Sequence, residues 1–432
     1  MSQWNHKRSP PSDRVEFVAS EAHFLGSIGP RVFRHFLLLA NQLGNGISAI
    51  CLNFSKCKKA YPNSIVPLIA LVTNLRQRGF QITVQLPQDD NTRSLFHRCN
   101  WAHFLDPNFP LSDDYSDRHL AVLHLRSEHD HRRATEAIVD IALRTLEISR
   151  EAIGALEWAA SEIMDNVLQH SGSDLGGFVQ LQTYPKEGQL AFCVADTGRG
   201  ILNSLKEAYS NLQSDEIAIG QAVRAGVTRN NEIGQGNGLS GSLGIAMATE
   251  GRFRIVSGRG EVEWANNRPS HSTNSFEKSY LGTIVDVQFP FRRAINLAQI
   301  LADATNTPDY SPVDFFDRHY TSEDGRFSVV RMSEETAGFG SRRAGFQIHT
   351  KCKNLLNVDS GCRLRIDWDG IQMIASSYAD EFIGKLFVAL GPLGFMSRIE
   401  QINLSPVVQS LINRAIMQRT KQALDGEIFS DD

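Results

Sequence analysis

Residues 161–171 read SEIMDNVLQHS and residues 189–200 read QLAFCVADTGRG. The first stretch is read as helix. Glu162 and Asn166 stand four positions apart, so both side chains fall on one helical face. The amide oxygen of Asn166 can ligate Mg²⁺, a hard cation that takes oxygen ligands and bridges phosphates. The Glu162 carboxylate can orient or deprotonate an attacking water or hydroxyl. On its own, E-x-x-x-N describes many solvated helix faces. The second stretch is an apolar strand ending in Asp196-Thr197-Gly198-Arg199-Gly200. A carboxylate at a strand end can point into a cleft and accept a hydrogen bond from the exocyclic amine of adenine. Gly198 and Gly200 let the backbone turn sharply and approach a ring.

Two later stretches extend the pattern. Gly234-Gln235-Gly236-Asn237-Gly238-Leu239 precedes GSLGIAMATE, an expected helix. Glycines there free backbone N–H groups for phosphate, and a helix N-terminus adds its dipole. Residues 236–241 also fit G-x-G-x-x-G, but the dinucleotide-binding motif requires a preceding strand, and RAGVTRNNEI is polar. No GxxxxGK[ST] occurs, which removes the P-loop reading. Finally, Gly282-Thr283 opens the strand TIVDVQFP, where a threonine hydroxyl can bond Asp196 or a bridging water.

Each motif is weak alone, but all four occur once and in order. Over about residues 120–292 the chain resembles the GHKL superfamily of gyrase-type ATPases, Hsp90, MutL, histidine kinases and anti-sigma-factor kinases. Glu162 and Asn166 match its N box. Asp196, Gly198 and Gly200 match its first glycine box, and Gly234, Gly236 and Gly238 its second. Gly282-Thr283 matches its closing strand. The resemblance implies a Bergerat-type α/β sandwich that binds ATP with Mg²⁺, Asn166 being the metal ligand and Asn237 and Leu239 joining the ATP-binding set. It also implies a mobile lid over residues 201–233, and dimerisation by family habit. Asp165, paralleled in several members, is expected to support the pocket. His170-Ser171 ends the helix as a capping or surface position.

Working outward, residues 1–14 form a polar tail with two prolines, expected to be disordered. Residues 15–116 alternate strands with helices: VEFVAS, RVFRHFLLLANQL, AICLNF, SIVPLIALVTNLRQRG stopping at Gly79, and FQITVQLP. This predicts an α/β layer domain. Residues 117–293 form the α+β middle domain, opening on a long helical pattern over 132–168. Residues 294–325 read as a connector, broken at Pro308 and Pro312. Residues 326–428 return to alternation, through FSVVRM, RRAGFQIHTKCKNLLN, RLRIDWDG, SYADEFIGKLFVALG, RIEQINL and a last helix opened by Ser405-Pro406. The fold class expected is therefore α/β and α+β multidomain. Both flanks resemble STAS-like domains, with Ser64 and Ser376 at the helix starts where that family carries a phosphorylated serine. The first flank lacks the Asp-Ser-Ser-Gly pattern, and Ser376 also suits a helix N-cap.

Hydrophobic residues make up 41% and charged residues 21%, enough to bury real cores. A net charge of −4 argues against a protein that coats nucleic acid. Six scattered cysteines form no CxxC pair or zinc spacing, which suits a reducing compartment. A polar N-terminus and short apolar runs predict a cytoplasmic chain without a membrane span. Two uses of ATP stay open: hydrolysis that drives a conformational switch, or transfer to serine on a STAS-like domain. His129 and His131 lie where a histidine kinase carries its acceptor, without the usual acidic-proline context. A non-hydrolysing scaffold is disfavoured by the pairing of Glu162 with Asn166. The partner expected is a protein of STAS-like or sigma-regulatory type, or a co-encoded effector.

Overall fold

A computed structural model of the 432-residue chain describes residues 14–18, 20–30, 48–112, 119–224, 238–265, 268–271, 279–292, 295–305, 319–322, 325–335, 338–357 and 361–424. The chain divides into two compact units. One comprises residues 1–135, 158–182 and 189–311, the other residues 136–157, 183–188 and 312–432.

The first unit opens with β1 (Arg14–Val18), β2 (Glu21–Ile28), β3 (Ala49–Asn53) and β4 (Cys57–Ala60). Then come α1 (Pro62–Gln77), β5 (Gln81–Gln85), α2 (Asp90–Arg98) and α3 (Trp101–Leu105). The strands make a five-stranded sheet in the order β1-β2-β3-β5, with β4 on β2. Pairing is parallel from β2 through β3 to β5 and antiparallel between β1 and β2. Helix α1 starts on Pro62, where the missing N–H costs nothing. It ends as predicted at Gly79, whose φ of +92° a side chain would resist. The expected helix over 31–43 lies outside the described residues.

Next come β6 (Leu123–Leu125), α4 (Glu128–Thr145), α5 (Arg150–His170), β7 (Gly177–Tyr184), β8 (Gln189–Asp196), α6 (Gly200–Leu205), α7 (Asp215–Ala222) and α8 (Gly238–Ala248). They are followed by β9 (Arg252–Gly258), β10 (Gly260–Ala265), β11 (Arg268–His271), β12 (Tyr280–Pro290) and α9 (Leu297–Thr305). The single helical run expected over 132–168 is two helices. Ser149 breaks it by capping α5, its Oγ accepting from the Ala152 N–H at 3.3 Å. Part of the expected connector is also ordered, since Asn296 caps α9 at the Gln299 N–H and Leu301 is buried. The seven strands run in the order β11-β10-β9-β12-β8-β7-β6. Their register sets Ile284 opposite Ala195 and Thr283 opposite Ser257.

The sequence reading draws a boundary at residue 116. In the structure one apolar core runs across it, joining Phe24, Phe54 and Ile69 to Phe178, Ala195 and Ile284. Helix α1 packs on β8, and the Asn63 amide donates to buried Asp286 at 3.1 Å.

In the second unit β13 (Ser328–Arg331), α10 (Arg342–Leu356), β14 (Leu364–Asp367), α11 (Ser376–Ala379), α12 (Lys385–Arg398), β15 (Ile399–Ile402) and α13 (Pro406–Leu424) alternate. The three strands are parallel in the order β13-β14-β15. The lower halves of α4 and α5 belong to this unit. Within this unit Asn354 on α10 holds the α4–α5 turn, donating to the carbonyls of Leu143 at 2.8 Å and Leu146 at 2.7 Å. Its oxygen accepts from the Ile148 N–H. Beside it, buried Lys351 pairs with Asp140 at 2.8 Å and with Glu335. Burial pulls the Lys351 ammonium down, but Asp140, Tyr320 and Glu335 together outweigh it and hold the group charged.

Four cysteines, Cys57, Cys99, Cys193 and Cys352, are buried, while Cys51 and Cys362 are partly exposed. Burial pushes the Cys99 thiol up to about 12 and raises Cys193 and Cys352 as well. Among the described residues no helix is long and apolar enough to cross a membrane.

Candidate functional site

Between α5, β8, β12 and the α6–α7 segment lies a cavity of about 110 Å³. Apolar side chains line much of it, among them Ile163, Val167, Val194, Leu205 and Val285. The polar groups that reach it include Asn166, His170, Asp196 and Thr283. Because α5 buries Ile163 and Val167 on the face that carries Asn166, one helical stripe supplies both wall and ligand.

Asp196 is the last residue of β8 and is only 5% exposed. Its Oδ1 accepts from the Gly198 N–H at 2.8 Å, and the main-chain N–H of Thr283 also donates to the carboxyl. Burial nevertheless raises its pKa from 3.8 to about 7, the two hydrogen bonds opposing the shift. The sequence predicts that the Thr283 hydroxyl bonds Asp196 or a bridging water. The main chain makes that bond, and the hydroxyl stands 3.5 Å from Ser257 Oγ.

Glycines hold the corner around Asp196. A Cβ on Gly198 would meet the Ser171 carbonyl oxygen at 2.1 Å, and one on Gly282 would meet the Asp196 carbonyl oxygen at 2.2 Å. Gly200 and Gly282 have φ of +75° and +99°, in the region that favours glycine. Gly198 is thus a packing glycine and is not among the cavity-lining residues.

At the start of α8 a Cβ on Gly238 would meet Glu162 Oε2 at 2.4 Å, so the carboxylate lies directly over the helix N-terminus. One turn on, a Cβ on Gly241 would meet the Trp158 ring at 2.1 Å. Burial first, and Asp165 second, raise the Glu162 pKa from 4.5 to about 7. Asn166 Nδ2 donates to the Glu162 carbonyl at 2.8 Å, which fixes the side chain and leaves its oxygen available. Asp165 is raised by burial too, and its partner is Gln169 on the next turn.

The structure brings together Glu162, Asn166, Asp196, Gly200, Gly238, Leu239 and Thr283. Gly234, Gly236 and Asn237 lie outside the described residues, as does the lid portion 225–233. The described part of the lid segment is anchored: Asp215 on α7 accepts from the Arg259 N–H at 2.9 Å. His170 and Ser171, read as a capping or surface pair, line the cavity. His131 Nε2 donates to the Ser161 carbonyl at 3.0 Å, binding α4 to α5, while His129 is exposed.

Ser64 is fully buried in α1, its Oγ 3.4 Å from Asn63 Oδ1. Ser376 is exposed, as the first residue of α11. The N-cap there is Ala375 and no side chain caps the helix, so the N-cap reading of Ser376 does not hold. The sequence reading missed Ser257, 1% exposed on β9, whose hydroxyl ties three segments of the corner together. A lone serine inside a strand carries no motif that could have flagged it.

Residues 125–249 match the family model of the histidine kinase-like ATPase domain. No curated protein and no solved structure matches the chain. The matched stretch spans α4 through α8, with Glu162, Asn166 and Asp196 inside it. This portion is similar to the histidine kinase-like (GHKL-type) ATPase domain, a kind of domain that binds ATP, commonly with Mg²⁺.

The residues fit such a ligand. Asp196 is a buried acceptor in a mainly apolar wall, as an adenine amine requires. Asn166 supplies one hard oxygen. Among the described residues no group of His, Cys, Asp and Glu could hold a metal alone.

Proposed function

We propose that this chain is an ATP-driven signalling switch. The carrying observation is the pairing of a buried carboxylate, Asp196, in an apolar cavity with Asn166 and Glu162 beside the α8 N-terminus. Asp196 and Thr283 hold the base, Asn166 orients the metal, and the N-terminus of α8 at Gly238 serves the phosphates. Bound Mg²⁺ would neutralise phosphate charge. Glu162, drawn toward neutrality by its buried setting, takes a proton from water as hydrolysis proceeds.

ATP then acts by favouring one conformation over another. In this reading the change passes to the flanking STAS-like parts and to a protein partner, from a cytoplasmic homodimer. A second reading, transfer of phosphate to serine, draws support from one observation: Ser376 is exposed at a helix start. Ser64 gives that reading no support, since its hydroxyl is buried.

Incubation with γ-labelled ATP and Mg²⁺ separates these readings. The switch is expected to release free phosphate with no label on the protein. Label that stays on the chain and disappears in Ser376→Ala would establish the kinase. Tight binding with neither product would leave a scaffold and overturn both.

A further inference from the structure

Ser257 sits on β9 where three segments of the candidate site converge. Its Oγ accepts from the Ile201 N–H at 2.8 Å and donates to the Gly282 carbonyl at 3.0 Å. A serine hydroxyl has one proton and two lone pairs. The proton is committed to Gly282 and one lone pair to Ile201, so the second lone pair faces Thr283 Oγ1 at 3.5 Å. The Thr283 hydroxyl therefore donates to Ser257 and turns only acceptor lone pairs toward the cavity it lines. Beside it the Asp196 carboxylate, when ionised, is also acceptor-only. The Asp196–Thr283 corner of the cavity then demands a hydrogen-bond donor.

We propose that Ser257 is a specificity-determining positioning residue. By consuming the Thr283 hydroxyl proton it makes the Asp196 corner accept purines bearing an exocyclic amine and reject those bearing a carbonyl. The inference rests on the reading of this cavity as the purine site. Ser257 touches no ligand itself and acts through Thr283 and Gly282.

The test is equilibrium binding of ATP and inosine triphosphate, each with Mg²⁺, to the full chain at pH 8. The two nucleotides differ at the position facing the corner: an amine in one, a carbonyl in the other. Wild type is expected to prefer ATP, and Ser257→Ala to cut that preference about tenfold, the scale of one exchanged hydrogen bond. The loss should come largely from stronger binding of inosine triphosphate, because the freed Thr283 hydroxyl can donate to its carbonyl. Adding Thr283→Val to Ser257→Ala should restore the preference, which a merely structural defect would not do. Ser257→Cys, similar in volume but a poor hydrogen-bonding partner, carries the same test should the alanine variant fail to fold.

Equal weakening of both nucleotides, or an unchanged preference, overturns the role of Ser257 alone. A wild-type chain that binds ATP and inosine triphosphate equally overturns the purine-site reading and this inference with it.

Discussion

An Asp196 that is buried at the end of β8 and yet ionises near pH 7 has a measurable cost. Its native pKa lies above the unfolded value, so the folded carboxyl holds its proton more tightly. The resulting penalty is absent below about pH 4, grows to about pH 7 and then stays constant. Nucleotide-free wild type is therefore expected to gain stability relative to Asp196→Asn as pH falls from 8 toward 4. Thermal unfolding across that range checks the slope, and the same variant should lose ATP binding. Normal ATP binding by Asp196→Asn would sink the assignment of the base-binding group. For Glu162, also near 7, the expectation is kinetic. Hydrolysis should rise as pH passes through 7, because only the ionised carboxylate accepts a proton. Glu162→Gln should keep ATP affinity and lose roughly 10²–10⁴-fold in turnover, measured by phosphate release. These three groups, Asp196, Glu162 and Asn166, were legible in sequence because chemistry fixes their residue type and spacing. Ser257 and the Thr283 N–H were not, because their roles depend on the register between β9 and β12.

At the scale of elements, α8 approaches α5 closely because Gly238 and Gly241 present no side chain to Glu162 and Trp158. Gly241→Ala is expected to destabilise the chain by about 2 kcal/mol through overpacking against the indole. Trp158→Phe removes the ring edge it strikes, so the double variant should recover about 1 kcal/mol of that loss. A denaturant double-mutant cycle reads the coupling, and strictly additive losses would count against direct contact. Strands such as β8 and β12 were legible from apolar runs, and α1 from its Pro62 start and Gly79 stop. The break at Ser149 was hidden because the sequence around it keeps a helical period. The strand β2 and the helix α9 were missed for a related reason, since tertiary burial of residues such as Phe24 and Leu301 outweighs weak local signals.

At the scale of the molecule, α4 and α5 each run through both compact units, crossing at residues 135/136 and 157/158. The second unit grips its share of these helices with buried polar bonds. Lys351→Met would strand the Glu335 carboxylate and leave Asp140 with Arg144 as its remaining partner, and is expected to cost roughly 3–5 kcal/mol. Hydrogen exchange should show lost protection in α10 and over residues 136–145, and unchanged protection there would refute the role of the pair. The sequence suggested separate domains along the chain because each flank alternates strand and helix by itself. It could not show that the core of the first unit ignores the boundary at residue 116. Contacts between residues distant in sequence, such as Asn63 with Asp286, leave no local trace.

The cysteine pattern offers a use unrelated to chemistry in the cell. Four thiols are buried, and Cys99, Cys193 and Cys352 among them are also held far from ionisation. A maleimide dye under native conditions should therefore find Cys51 and Cys362. One lies in each compact unit. The natural chain thus carries its own spectroscopic ruler. A change in transfer efficiency between dyes on Cys51 and Cys362 when ATP is added would report motion of one unit against the other, without a single engineered residue.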